Sequence, residues 1–126
     1  MNKKDIKDRN DIYILIDEFY KKLLSDEEMK HFFEKFKSDI NLQKHLNVLV
    51  DFWDNVLFYT GTYNKNAMLP HIELNKTKPF QKKHFELWLK YFYEAVDNNF
   101  KGETSEIAKN RATSIATVMK LKILKF

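Results

Sequence analysis

Apolar residues recur along this chain at intervals of three and four, as expected of helices that each bury one face. The first run covers about residues 11–24, where Ile12, Ile16, Phe19, Tyr20 and Leu23 share a stripe. Ser25 or Asp26 is placed to cap a short second helix carrying Met29, Phe32, Phe33 and Phe36. Residues 37–41 read as a loop, with Asp39 or Asn41 available as the next N-cap. A long helix follows over about 41–59, and its apolar face holds Leu42, His45, Leu46, Leu49, Phe52, Trp53, Val56 and Leu57. Gly61 marks its end, and residues 62–67 are mostly turn formers. A short helix over about 68–74 requires Pro70 in its first turn, where a missing N–H is tolerated. Lys76, Thr77 and Lys78 separate it from a helix that Pro79 opens and that runs to about residue 98, with Phe85, Trp88, Leu89, Phe92 and Val96 on one side. Beyond Gly102, Thr104 or Ser105 caps a last helix bearing Ile107, Ala108, Arg111, Ala112, Ile115, Met119 and Ile123. Its carboxyl end suits Lys120, Lys122 and Lys125. No segment alternates with period two between turn dipeptides, so the expected class is all-α.

At 126 residues the chain is expected to form one domain, 1–126, with a core large enough to need no staples. Eleven Phe, six Tyr and two Trp exceed the packing needs of a helical bundle of this size. Wide, flat side chains suit the walls of a cavity for a planar ligand; the plain alternative is an aromatic core. Basic residues outnumber acidic ones by 22 to 18, but most of the lysines lie beside acids on polar helix faces and Arg9 and Arg111 are the only arginines. That distribution argues against a nucleic-acid reader. The absence of cysteine excludes disulfides, thiol chemistry and thiolate-ligated metal centres. The charged start leads into no signal-like run, and no stretch approaches the roughly 20 apolar residues that span a bilayer. The expectation is a cytoplasmic monomer with no membrane partner.

Four histidines are candidates for metal chemistry: His31, His45, His71 and His84. No HExxH or paired-carboxylate motif joins any two of them, so a zinc site would need long-range assembly. Heme differs, because the macrocycle supplies four nitrogen ligands and the protein needs one axial donor. His71 lies between two long helices with apolar neighbours, and a neutral imidazole ligates iron near physiological pH. Tyr20, His45 and Trp88 lie on the apolar stripes of three other predicted helices. His31 reads as a boundary residue, and His84 as either a solvent-edge residue or a contact to a heme carboxylate.

These residues also carry a family resemblance. Phe19-Tyr20, His45 followed by Phe52-Trp53, the 61–64 segment leading to His71, and the run from His84 to Leu89 with Trp88 within it resemble the truncated hemoglobins. The similarity is greatest to the third, bacterial group and covers about residues 11–119. It implies a two-over-two helical sandwich enclosing heme b (iron protoporphyrin IX). His71 would match the proximal iron ligand, and Tyr20, His45 and Trp88 would line the distal side. Tyr20 and Trp88 would donate hydrogen bonds to a gas that carries partial negative charge, while His45 either gates entry, adds a donor or itself ligates iron. Phe33, Phe36, Leu49, Trp53, Leu69, Leu74, Phe80 and Phe85 would form cavity walls. No basic residue for the heme carboxylates is matched, and the glycine pairs of other truncated hemoglobins are missing.

The resemblance implies reversible binding of dioxygen, carbon monoxide, nitric oxide or other small heme ligands. Strong distal hydrogen bonding would favour slow release over bulk oxygen transport. One alternative is nitric-oxide dioxygenation or peroxidase-like chemistry, for which no catalytic residue is assigned. The sequence holds no flavin or nicotinamide motif, so such turnover would need an external reductase. The other alternative is a non-heme helical protein-interaction module that sets its aromatic stripe against a partner.

Overall fold

A computed structural model describes residues 3–36, 38–61, 63 and 67–124. Its elements are α1 (Arg9–Ser25), a 3-10 helix (Lys30–Phe36), α2 (Asp39–Phe58), α3 (Met68–Thr77), α4 (Lys82–Asn99) and α5 (Glu103–Leu124). Among the described residues there is no strand, in agreement with the all-α expectation. Helix α1 packs on both α2 and α4, and α4 on α5, which gives two helix pairs joined across α1 and α4. This is the arrangement of a two-over-two sandwich.

Helix α1 forms as its periodicity predicts. Ile12, Leu15, Ile16 and Leu23 are fully buried, and the Asp8 carboxylate caps the helix by accepting from the Asp11 amide at 3.0 Å. Asp11 is itself buried, but the Lys4 ammonium at 2.7 Å and the Lys7 amide at 2.9 Å satisfy it. Arg9 ties α1 to α2 through Asp51 at 2.6 Å and Asp54 at 3.3 Å. Small residues Ala108, Ala112 and Ala116 are the buried positions along the middle of α5, whereas Arg111 stays exposed.

Several boundaries differ from expectation, each for a local reason. Asp26 caps the second helical segment as one of the two expected candidates, accepting from the amides of Glu28 and Met29. Helix α2 starts at Asp39 behind the N-cap Ser38, whose hydroxyl accepts from the Asn41 amide, so the cap falls one residue before the expected Asp39 or Asn41. It ends at Tyr59, which adopts a left-handed conformation at φ 55°, and Gly61 follows at φ 73° with its amide donating to the Asn55 side chain. Helix α3 runs on through Lys76 and Thr77, where the Thr77 hydroxyl donates to the Leu74 carbonyl. Pro79 precedes α4 rather than opening it; the helix begins at Lys82 behind Gln81. Residues 62 and 64–66 of the expected turn, and Lys37 and Lys125, lie outside the described residues.

The largest departure is at α5. Neither Thr104 nor Ser105 caps it. The carboxylate of Asp5, about a hundred residues away in sequence, accepts from the Thr104 amide, the Ser105 amide and the Ser105 hydroxyl at 2.8, 2.8 and 2.7 Å. Gly102 makes room for it: a Cβ there would stand 2.5 Å from the Asp5 Cγ, at a backbone φ of 149°. Burial pushes the Asp5 carboxyl up, but the Ser105 and Thr104 hydrogen bonds outweigh it and hold the group below the usual carboxylate range. Asp5→Ala is therefore expected to destabilise the fold by about 1–3 kcal/mol in denaturant titrations at neutral pH. Because the folded-state pKa is lowered, the difference from wild type should fade as pH falls through that value, where the wild-type carboxylate is itself lost.

Candidate functional site

All the elements converge on a cavity of about 660 Å³. Helices α1, α2 and α4 supply Tyr20, His45 and Trp88, the 3-10 helix supplies Phe33 and Phe36, and α3 supplies His71 and Leu74. Of the expected walls, Phe33, Phe36, Leu49, Trp53, Leu74, Phe80 and Phe85 line this space. Leu69 does not; it is 55% exposed. Further walls come from residues such as Ile16, Phe19, Phe32 and Phe52, which sit on the core-facing stripes and carry no pattern separating a cavity wall from core packing. A second groove of about 540 Å³ between α2, α3 and α5 holds neither Tyr20 nor any histidine.

The His71 ring nitrogen Nδ1 lies 2.8 Å from the Ala67 carbonyl. A carbonyl only accepts, so Nδ1 carries the proton and Nε2 of the neutral ring keeps a free lone pair. The exposed surface of His71 is part of the cavity wall. Protein nevertheless crowds the ring: burial lowers its pKa from the usual imidazole value, the Ala67 contact opposes this, and the Lys35 charge adds to the lowering.

Tyr20 and His45 form a pair, with the hydroxyl oxygen 2.8 Å from Nε2. Burial raises the Tyr20 hydroxyl far above its ordinary pKa, so it stays protonated and able to donate. The His45 imidazole is stacked on Phe36 with ring centroids 4.1 Å apart. Its pKa is lowered to about 4, chiefly by burial and then by the charges of Lys35 and His71. The ring is therefore neutral at pH 7. Trp88 stands edge-on to Phe19 at 5.5 Å and parallel to Phe92 at 5.9 Å. Its indole nitrogen forms no hydrogen bond among the described residues.

Of the other two histidines, His84 also lines the cavity and His31 does not. His84 is only 4% exposed, so it is not a solvent-edge residue. Its Nδ1 accepts from the Gln81 amide at 2.8 Å and so fastens the start of α4. His31 packs on the Phe32 ring at 3.9 Å.

A histidine held neutral by the fold destabilises it in acid. Between the ordinary imidazole pKa near 6.5 and the His45 value of about 4, the unfolded chain binds a proton that the native state does not. Stability should rise with pH across that window. His45→Gln should flatten the slope of unfolding free energy against pH between 4 and 6.5, measured on the heme-free chain; an unchanged slope would remove His45 as its source.

Residues 5–123 match the bacterial-like globin family. The group 3 truncated hemoglobin ctb of Campylobacter jejuni is 28% identical over 114 residues, covering 89% of this chain and 87% of that protein. The crystal structure of group III truncated hemoglobin from Campylobacter jejuni superposes with a TM-score of 0.87 at 27% identity, over 97% of this chain and 95% of the other. A family match along almost the whole sequence, joined to a superposition that spans both chains, leads to one assignment: the chain belongs to the bacterial-like globin family, on its group III truncated hemoglobin branch.

Proposed function

We propose that the cavity holds heme b with His71 as the protein's axial ligand, and that the protein binds dioxygen and related diatomic gases reversibly. The observation that carries this is the His71–Ala67 hydrogen bond, which leaves Nε2 as a lone-pair donor on the wall of an aromatic cavity. Family membership implies the cofactor, and the residues fit it. The cavity volume of about 660 Å³ falls in the range of small-molecule and cofactor sites, roughly 300–1,000 Å³. Its wall is mainly aromatic and aliphatic, with no Asp or Glu among the described residues. No group of three or more His, Asp or Glu able to hold a bare metal ion occurs among the described residues. A macrocycle that brings four nitrogens of its own needs only the single imidazole.

Heme supplies an iron centre to which a diatomic gas can bind. The rest belongs to this chain. The Nδ1–H donated to Ala67 fixes the His71 ring plane and makes Nε2 a stronger electron donor. Leu74, Phe80 and Phe85 exclude water from the cavity wall. With His45 in the Nε2–H tautomer, its N–H donates to the Tyr20 oxygen and leaves the hydroxyl proton for the gas. A neutral His45 does this without placing a positive charge in the pocket. The same Nε2 would be needed for ligation by His45, so the geometry favours the orienting role. The Trp88 indole N–H, without a hydrogen-bond partner among the described residues, is a second donor.

Purified protein mixed with hemin should bind it in about one-to-one stoichiometry and show a Soret band that shifts on reduction and carbon monoxide addition. A folded chain with no Soret band would overturn the proposal and favour a protein-interaction role.

A further inference from the structure

Among the described residues no acidic side chain lines the 660 Å³ cavity, and the lysines on its wall are Lys35 and Lys44. Lys35 lies near the end of the 3-10 helix and Lys44 in the second turn of α2, with Asn41 one turn before it. All three are exposed, so they form a rim where the 3-10 helix runs into α2. Neither lysine has an ion-pair partner among the described residues; Lys35 makes only a contact over the Phe36 ring, 5.2 Å from its centroid. Lys78 and Lys83, beside the wall residues Phe80 and His84, are by contrast paired with Glu34 at 3.2 Å and Glu28 at 2.8 Å. The Lys35 charge also opposes protonation of both His45 and His71, which places it electrostatically at the cavity rather than away from it.

We propose that Lys35 and Lys44 are an anion-binding lip that receives the two propionates of heme and turns the carboxylate edge of the macrocycle toward the junction of the 3-10 helix with α2. The inference rests on the heme reading above and deepens it. Carboxylates cannot be buried against the Phe and Leu wall without a large desolvation penalty. The rim offers two cations with no acidic partner among the described residues, and the Asn41 side-chain amide adds a neutral donor. Exposed pairs of this kind are individually weak and salt-screened. They act on how long the ligand stays and which way round it sits, while His71 carries the ligation.

The test compares hemin with hemin dimethyl ester, in which both carboxylates are blocked. Release from the ferric protein to excess apomyoglobin is timed for wild type, Lys35→Gln, Lys44→Gln, the double variant and the remote control Lys122→Gln. Each single change should speed hemin loss about two- to fivefold and the double variant about tenfold, while loss of the ester stays the same in all five. Added salt should speed hemin loss from wild type and have little effect on the double variant. Hemin loss at the wild-type rate in the double variant, or acceleration of the ester to the same degree, would overturn the lip. A wild-type chain that takes up neither hemin nor the ester would overturn the heme reading itself, so the two failures are distinct.

Discussion

His71→Ala is expected to abolish stable heme binding. The substitution removes the one imidazole on the cavity wall whose Nε2 is free of other partners and whose Nδ1 is held by a backbone carbonyl. It should cost little folding stability, because the ring already stands on the cavity wall and is not locked into the core. Hemin titration should show no saturable Soret band at micromolar protein, and millimolar imidazole should restore one by standing in for the lost side chain. His31→Ala should keep hemin. His84→Ala should also keep it but melt at lower temperature, since His84 is buried and accepts the Gln81 amide at the start of α4. One-to-one hemin with unchanged ligation in His71→Ala would refute the assignment. Loss confined to His45→Ala would mean that the two sides of the cavity are reversed.

The second large effect is expected in dioxygen release. Tyr20→Phe removes a hydroxyl and leaves the ring, so its packing on Phe33 at 5.3 Å and Phe19 at 5.7 Å is kept. A hydrogen bond to a partly charged acceptor is worth about 1.5–3 kcal/mol, or roughly tenfold to a hundredfold in the binding equilibrium. Stopped-flow measurements should show dioxygen leaving faster by that order and carbon monoxide by much less, because less negative charge gathers on carbon monoxide. Trp88→Phe should act in the same direction. The two effects need not add, since either donor can serve when the other is lost. His45→Leu should show a smaller effect, exerted by loosening the Tyr20 hydroxyl it now holds at 2.8 Å. Equal changes for both gases in Tyr20→Phe would point to steric control instead.

Much of the helical framework was legible in the chain. The stripes Ile12–Ile16–Phe19–Leu23 and Leu46–Leu49–Trp53 placed α1 and α2 with their buried faces correct, because burial of one face is a local, periodic demand on a sequence. The helix starts were less legible. Ser38 outcompeted Asp39 and Asn41 as a cap, and Pro79 was left outside α4, since several residue types fit each such position and a choice of one residue decides the register. The candidate site divides in the same way. His71, Tyr20, His45 and Trp88 were marked by residue type and spacing, and all four line one cavity. Leu69 does not, because α3 has a weak division between faces and its sequence gives no sign of which side meets the cavity.

The class of fold, the number of major helices and the residue types available for a cofactor follow from periodicity and local chemistry along the chain. The pairings between segments come from the folded arrangement. It set the Asp5 carboxylate on the amino terminus of α5 across about a hundred residues, with Gly102 leaving the space. It joined the Tyr20 hydroxyl to His45, bound His84 to the Gln81 backbone, and left Lys35 and Lys44 at the rim with no acidic partner among the described residues. Each of these is a contact between segments distant along the chain or a choice among equivalent partners, and a partner is selected by distance in space, which periodicity along one helix does not encode.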